Sequence, residues 1–397
     1  MIERSGFMRF MPMVAIVVLA FNLRPVAVSV GPVLAEISAD LGLTPGWSGF
    51  LTSLPTLCFA VFGAVAPWLG KQLGPHVAIG VAFVALVGGQ WARAFVENPV
   101  AFFLLSALAL AGMALGNVLI PPMVRLHYPN KVGLGTALYS LAISIGVTLS
   151  SSVTVPLAHA TGGWRGAMVA WAVVALASLL TWVPMLKYRE RRGGRAHVAH
   201  SVAAVARTKL GWALAIMFGL QAGSSYTVFG WLPTIFRSYG MSEINAGFML
   251  GIATGIGIPL AFLIPAYVAR TPRPTGIFLA MMATLLLGWV GLLVAPMSAP
   301  WLWSVLLALG TSSFPMILAL FATRALTPAS TAALSGFTQA VGYTVATLCP
   351  ILFGTLNGWS GGWTLSLLAM IVLTVPFTIT GWYASQPRVI EDQLPQD

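Results

Sequence analysis

Twelve apolar stretches, each about as long as a helix that crosses a lipid bilayer, constrain this sequence more than any other feature. A helix needs about 20 residues to cross a hydrocarbon layer of ~30 Å. The stretches are continuous rather than alternating, which predicts helices and not barrel strands, because every backbone group must be satisfied without water. We number the predicted helices as spans 1 to 12 and place them at residues 10–34, 46–69, 76–96, 99–123, 132–157, 164–186, 210–236, 245–268, 275–296, 299–322, 330–355 and 361–384.

The composition agrees with an all-α integral membrane protein. Hydrophobic residues make up 58% of the chain and charged residues only 7%, against about 25% charged in soluble domains. The net charge of +11 would suggest nucleic acid for a soluble chain, but the basic residues lie between apolar stretches, so we expect no nucleic-acid partner.

Cys58 and Cys349 lie inside spans and form no disulfide framework. We expect no metal, no cofactor and a monomer in the lipid bilayer.

The distribution of Lys and Arg predicts the orientation in the membrane. Of the 20 Lys and Arg, sixteen lie in the termini and at even-numbered connections, Arg93, Arg165 and Arg237 lie at or near odd-numbered connections, and Arg24 lies inside span 1. Basic residues favour the cytoplasmic side, so both termini are expected there, in a plasma or inner membrane. The N-terminal stretch resembles a signal peptide but is too long and lacks a cleavage site, so we expect it to be kept as span 1.

A basic connection divides the chain into two sets of six spans. Residues 187–209 form the longest connection and are predicted to be a cytoplasmic linker lying along anionic lipid. The predicted domains are therefore an N-terminal six-helix bundle, 1–186, and a C-terminal six-helix bundle, 210–397.

Short motifs recur between these two bundles at nearly constant offset. Gly162-Gly163-Trp164 recurs as Gly361-Gly362-Trp363, and Arg125 recurs as Arg324, both 199 residues later; Leu41-Gly42 matches Tyr239-Gly240, 198 residues later. The matches predict two pseudo-symmetric halves, a construction in which the substrate binds near the midplane between the repeats.

Arg24 is the residue that most strongly suggests a function. It lies midway along span 1, with no Asp or Glu in that span, and Pro25 removes the backbone hydrogen bond to the carbonyl of Phe21. A charge at that depth costs about 2.5–3.5 kcal/mol on insertion scales, so it usually faces a wet cavity. We predict that Arg24 and Asn22 bind an anionic substrate; the alternative is an arginine that snorkels or holds two helices together.

Polar side chains three and four residues apart indicate which other spans line the cavity. Spans 5, 7 and 11 each carry such a stripe, while for a single Ser or Thr the alternative is a hydrogen bond between helices. The further predicted substrate-binding residues are Asn117, Tyr139, Gln221, Ser225, Tyr226, Trp231, Gln339 and Tyr343.

Several of these motifs resemble one transporter family. Asn22-Leu23-Arg24-Pro25, with Ser29 to Leu34 after it, is similar to the first-span signature of the cyanate permease (CynX/NimT) type of major facilitator transporter. Trp231-Leu232-Pro233 and Gly163-Trp164-Arg165 are also similar to that group. The resemblance implies the twelve-helix major facilitator fold and transport of cyanate, nitroimidazole-like compounds or a related solute.

The loop after span 2 departs from the superfamily pattern, which carries an Asp that is absent here, so the usual charged gate of that loop is in doubt. We predict instead that Lys71, Arg125 and Arg324 form an inner gate. A membrane proton-coupling site normally needs a carboxylate or histidine, and Glu36, at the end of span 1, is the coupling candidate.

The predicted function is secondary active transport of a small anionic or planar polar solute by alternating access. Cyanate, nitrate-like ions and organic acids fit this class. The alternative is efflux of lipophilic or nitroimidazole-like drugs that does not depend on Arg24. An enzyme would need a catalytic cluster inside the membrane, and the sequence contains none, so no enzymatic activity is expected.

Overall fold

The computed structural model describes residues 6–187 and 202–393, which are almost entirely helical. The predicted linker 187–209 lies mostly outside the described residues. Within them, the helices of spans 1 to 6 are Gly6–Asn22, Pro25–Val28 and Leu34–Asp40; Pro45–Leu73; Pro75–Ala92; Pro99–His127; Val132–Ala160; and Trp164–Trp182. Those of spans 7 to 12 are Lys209–Ser238; Glu243–Gly255 and Gly257–Arg270; Thr275–Val294; Pro300–Thr311 and Phe314–Thr323; Pro328–Ser360; and Thr364–Ser385.

Eleven helices of the described part are long and apolar enough to cross a membrane, and span 7 lies between them in sequence. Span 7 has 30 residues, which at 1.5 Å per residue is also long enough to cross. Its polar residues, among them Gln221 and Ser225, lower its hydropathy. Because the number of spans is then even, residues 6 and 393, the two ends of the described part, lie on one side, which we call the terminal side; the other is the distal side.

The internal repeat is visible in the backbone. Gly42 and Gly240, which follow spans 1 and 7, both have left-handed φ angles of 62° and 90°. Such angles suit glycine because it has no Cβ. The indole Nε1 of Trp164 donates to Asp40 at 3.2 Å, and that of Trp363 donates to Ser238 at 2.7 Å. Each tryptophan thus ties the start of the last span of its half to the end of the first, which confirms the prediction of pseudo-symmetric halves.

Span 1 is interrupted at its centre, as Pro25 predicts. One helix ends at Asn22, a four-residue turn runs over Pro25–Val28, and a short 3₁₀ turn follows at Gly31–Val33. Span 5 packs closely against this break, because a Cβ on Gly146 would collide with the carbonyl oxygen of Phe21. Span 1 also continues to Asp40, beyond the predicted end at residue 34.

The two halves meet closely on the distal side. A Cβ on Gly49 of span 2 would lie 2.7 Å from the carbonyl oxygen of Pro350 in span 11, and a Cβ on Gly31 would collide with the carbonyl oxygen of Phe229 in span 7. A Cβ on Gly251 of span 8 would collide with the side-chain hydroxyl of Ser152 in span 5. Glycine at these positions lets backbones approach, as at many helix contacts in membranes.

Candidate substrate site at Arg24

Arg24 lies at the break in span 1 and points towards span 7 of the other half. Its Nη1 donates a hydrogen bond of 2.8 Å to the phenol oxygen of Tyr226. The residue is partly exposed, whereas Tyr226 is buried. This bond between the halves leaves further N–H groups of the guanidinium, which carries five donors, available to a ligand.

Aromatic rings surround the guanidinium. The ring centroid of Phe59 in span 2 lies 5.3 Å from the Arg24 Cζ, which is within the range of a cation–π interaction. Phe59 stacks on Tyr343 of span 11, with centroids 4.8 Å apart and planes 15° apart. Tyr343 and Tyr139 both lie close enough to Arg24 to interact with it electrostatically. The site therefore combines one cation with flat apolar faces from both halves.

No carboxylate among the described residues pairs with Arg24. The ion pairs of that part of the chain join Asp40, Glu36 and Glu243 to other basic residues, all on the distal side. A charge in the middle of a membrane protein generally faces a partner or a wet cavity and has a function. The geometry therefore suits reversible binding of an anion or of a polar group with several acceptor oxygens.

Gln221 is a buried polar group of span 7. Its Nε2 donates to Ser225 Oγ at 3.0 Å and to the carbonyl of Thr311 at 2.7 Å, where span 10 is interrupted. Its Oε1 is buried and accepts no hydrogen bond from the described residues. A buried acceptor without a donor is costly, so this amide oxygen is suited to accept a hydrogen bond from a ligand.

The structure brings some predicted site residues together and not others. Tyr139 lies within 3.5 Å of the carbonyl oxygen of Asn117, so spans 4 and 5 contribute to the same region. Asn22 instead donates to Ser178 and to the Val18 carbonyl, towards span 6. Gln339 donates to Ser335 on its own helix at 2.7 Å. These contacts leave Arg24, Tyr139, Tyr226 and Tyr343 as the central group.

Trp231 lies in a separate aromatic cluster. Its ring centroid is 5.9 Å from that of Phe353 and 5.7 Å from that of Trp363. The residue is buried, and its Nε1 has no hydrogen-bond partner in the described part of the chain. Its position favours packing of spans 7, 11 and 12 against one another.

Sequence reasoning missed two residues around the site. Phe59 carries no polar atom and gave no signal among the many apolar residues of span 2. The distribution of basic residues assigns Arg93 to the connection after span 3, yet its side chain is fully buried. An arginine close to the end of a span, with few acids nearby, is the one signal that singles it out.

The three basic residues of the predicted inner gate differ in exposure. Lys71 and Arg125 are exposed, and Arg125 lines a cleft of about 680 Å³ between spans 4 and 5. Arg324 is buried and donates to the backbone carbonyls of Ala384, Ser385 and Pro272. Burial lowers the pKa of Arg324 from its ordinary value. None of the three forms an ion pair among the described residues, so the inner gate stays a prediction.

Glu36 belongs to a network on the distal side. Arg237 Nη2 lies 2.7 Å from a Glu36 oxygen and 2.8 Å from a Glu243 oxygen. His159 Nε2 lies 3.1 Å from the other Glu243 oxygen. Glu36 and His159 come from spans 1 and 5, whereas Arg237 and Glu243 come from spans 7 and 8. We call these four residues the distal network; it joins the two halves on the distal side.

The duplicated helical halves and a charged site between them define the class of protein as a membrane transporter. The chain matches the family model described as "Major Facilitator Superfamily" over residues 10–350, and it belongs to that superfamily. It is therefore not an enzyme.

Its relatives include members of the cyanate permease type. The chain is 30% identical over 390 residues to the 2-nitroimidazole transporter of Escherichia coli (strain K12), covering 97% of this chain and 98% of that protein. It is 26% identical to the cyanate transport protein CynX of the same organism, covering 92% and 96%. It is 35% identical to the uncharacterized transporter YycB of Bacillus subtilis (strain 168), covering 94% and 93%. The chain thus belongs to the CynX/NimT family.

Solved structures agree with the fold. A crystal structure of the nucleoside transporter NupG matches with a TM-score of 0.74 at 13% identity, covering 94% of this chain and 98% of that one. The D-xylose-proton symporter matches with a TM-score of 0.75 at 15% identity, covering 97% and 100%. At such low identity these structures show the fold alone, and that fold confirms the prediction of a twelve-helix major facilitator protein.

Proposed function

We propose that the protein is a secondary active transporter of a small anionic or planar polar solute, with Arg24 as the anion-binding residue. Cyanate, nitrate-like ions and organic acids make up this class. The observation that carries the proposal is the position of Arg24, at mid-membrane between the halves and without a carboxylate partner among the described residues. Alternating access around this site would expose it to each side in turn.

The shape of the site favours planar solutes. A guanidinium presents a flat fork that matches two acceptor oxygens in one plane, as in a carboxylate, a nitrate or a nitro group. The stacked rings of Phe59 and Tyr343 beside it offer a flat surface to an aromatic solute. Gln221 Oε1 would accept a hydrogen bond from an N–H or O–H of the same solute.

The names of two relatives support the same class. A 2-nitroimidazole is a planar ring that carries two nitro oxygens, one acceptor ring nitrogen and one ring N–H, and cyanate is a small anion. Both present acceptor atoms that a guanidinium can bind, although they differ in size. We infer for this chain a site that recognises the acceptor group through Arg24 and the rest of the solute through the aromatic rings.

The charges restrict how transport is driven. Entry of a monoanion against a negative-inside potential costs about 2.3 kcal/mol of free energy per 100 mV, so accumulation inside the cell needs coupling to another solute. Glu36 is the acid of span 1 nearest the site, and it is held by Arg237 on the distal side. Three modes fit this arrangement: entry of protons with a weak-acid substrate, exchange of anions, and downhill export.

The proposed setting is an inner membrane with both termini in the cytoplasm, which would make the terminal side the cytoplasmic side. We further propose that residues 1–186 and 210–397 are the two moving bundles and that Lys71, Arg125 and Arg324 act at the cytoplasmic end. The protein is expected to work as a monomer.

A second candidate function is efflux of lipophilic compounds without a role for Arg24. One observation favours it: an apolar groove of about 510 Å³ lies between spans 1, 5 and 6, with Asn22 and Ser178 on its wall. A lipophile entering there would approach the protein from the bilayer. The two functions differ in whether Arg24 is needed.

The test is a thermal-shift screen of the purified protein beside Arg24→Ala. The probes are cyanate, nitrate, benzoate, 2-nitroimidazole and a neutral lipophilic dye. A ligand that binds the folded state raises its stability, by about 2.7 kcal/mol at a hundredfold excess over Kd. We expect stabilisation by a planar or anionic probe in the wild type and none in the variant. Equal shifts in both proteins, or shifts with the dye alone, would replace the proposal by efflux.

A further inference from the structure

Arg93 is a buried cation outside the substrate site. It directly follows span 3, and its side chain is 0% exposed. Its Nη2 donates to the carbonyl oxygen of Val26 at 2.9 Å, and its Nη1 lies 3.4 Å from Ser106 Oγ. The sulfur of Met168 lies 3.4 Å from Nη2. The side chain thus joins spans 1, 4 and 6 at one point.

No carboxylate among the described residues compensates this charge. The ion pairs of that part of the chain do not include Arg93, and its Nε has no hydrogen-bond partner there. Burying a cation without a counter-charge is costly, and well-packed apolar residues are often at least as stable in such places. A contribution to the stability of the fold therefore does not explain an arginine at this position. The explanation has to come from the groups that its side chain contacts.

The principal contact is the carbonyl of Val26, two residues after Arg24. Val26 belongs to the four-residue turn Pro25–Val28, where the helical hydrogen-bond pattern of span 1 stops. Within the described residues, no backbone N–H donates to this carbonyl. Arg93 therefore supplies the donor that the interrupted helix lacks.

Residues next to Arg93 also hold the segment of span 1 that follows Arg24. Ser29 Oγ lies 3.9 Å from the Met168 sulfur, and the Nε2 of Gln90 lies 3.4 Å from the Met168 carbonyl oxygen. Arg93, Gln90 and Ser29 thus meet around one methionine of span 6. These contacts join span 1 to spans 3 and 6 of the same half.

We infer that Arg93 is a positioning residue that fixes the break in span 1 and so holds Arg24 towards the other half. A charged donor forms a stronger and more directional bond to a carbonyl than water or a neutral donor does. Arg93 itself stays away from the solute. Its effect on binding rests on the proposed role of Arg24, but its effect on the backbone does not.

The test uses hydrogen exchange of the full-length protein in detergent without added ligand. Arg93→Met keeps the length of the side chain and removes its donors. We expect faster exchange of the amides in residues 23–33 than in the wild type. The matched control is Arg165→Met, since Arg165 also donates to backbone carbonyls on the distal side, those of Ala94 and Val96. That control should leave residues 23–33 unchanged.

Unchanged exchange over residues 23–33 in Arg93→Met would overturn the inference. A rise of the same size in both variants would overturn it too, because the effect would then be general loosening. If Arg93→Met does not yield folded protein, Arg93→Lys is compared with Arg165→Lys. The lysine keeps one donor, so an intermediate increase is expected in the first and none in the second.

A second readout uses the probe that stabilises the wild type in the thermal-shift screen. Arg93→Met should weaken binding of that probe at least tenfold, with Arg93→Lys between it and the wild type. If no probe shows an Arg24-dependent shift, the proposed function fails while the exchange result still decides on Arg93. If the probe binds Arg93→Met as tightly as the wild type, Arg93 does not position Arg24.

Discussion

At the scale of single residues, the site is one cation held by one phenol and covered by rings. The sequence predicts Arg24, Tyr226 and Tyr343, because charge and polarity inside an apolar span are visible in a one-dimensional pattern. The place of Phe59 in the site could not be predicted. From sequence alone, an aromatic residue in span 2 cannot be told from one that faces lipid or packs between helices. Asn22 shows the reverse: it is polar and next to Arg24, yet its amide contacts Ser178.

Tyr226→Phe tests the bond that holds Arg24. The change removes the 2.8 Å hydrogen bond and little volume. A hydrogen bond to a charged group contributes about 1.5–3 kcal/mol, and the freed guanidinium loses its orientation. We expect affinity for an anionic probe to fall about tenfold, or about 1.4 kcal/mol, measured by titration calorimetry. Tyr267→Phe, at an exposed tyrosine of span 8, serves as control and should bind as the wild type does; equal affinity of Tyr226→Phe would exclude this role.

At the scale of elements, span 1 is the helix on which the account depends. Its interruption was predictable, because Pro25 cannot donate the hydrogen bond that would continue the helix. The sequence does not show which glycines let other spans approach span 1, since Gly146 and Gly88 look alike in sequence. In the structure Gly146 faces the Phe21 carbonyl, whereas nothing lies within 4 Å of a Cβ built on Gly88.

Gly146→Ala is therefore expected to destabilise the protein. The added methyl group would collide with a backbone oxygen, and overpacking of this kind costs about 1–3 kcal/mol. Gly88→Ala adds the same atom in open space and should be neutral or stabilising by up to about 1 kcal/mol. Melting temperatures of the two variants in the same detergent give the comparison. Equal melting temperatures would show that span 5 does not pack on the break.

At the scale of the whole molecule, the two halves contact each other on the distal side. The repeat and the number of spans follow from the sequence, because motifs at constant offset and apolar length are both linear properties. The side on which the halves meet does not follow from the sequence, since it depends on long-range pairs such as Glu36 with Arg237. The distal network unites residues that are up to 207 positions apart in the sequence, and no single one of them is unusual at a span end.

Arg237→Gln should shift the molecule towards opening on the distal side. The pairs of Arg237 are partly exposed, with side-chain exposures of 20% for Arg237 and 32% and 42% for Glu36 and Glu243. Only the pair with Glu36 crosses from one half to the other, since Glu243 lies in the same half as Arg237. A pair of this exposure contributes about 0–1 kcal/mol, so the open population is expected to rise by up to about fivefold.

The opening is measured by labelling Ser152→Cys, in a background without Cys58 and Cys349, with a membrane-impermeant maleimide added from the distal side. Labelling should be faster with Arg237→Gln and unchanged with Arg165→Gln, because Arg165 pairs with Asp40 inside one half. Equal rates in all three proteins would mean that the distal network does not hold the halves together.

The most direct test of the central claim is uptake of a radiolabelled planar anion by proteoliposomes that contain the wild type or Arg24→Ala in equal amounts. If the solute binds at Arg24, the wild type transports it and the variant does not, although both are folded and inserted. Uptake by Arg24→Ala at the wild-type rate would contradict the account and leave Arg24 with a structural role only.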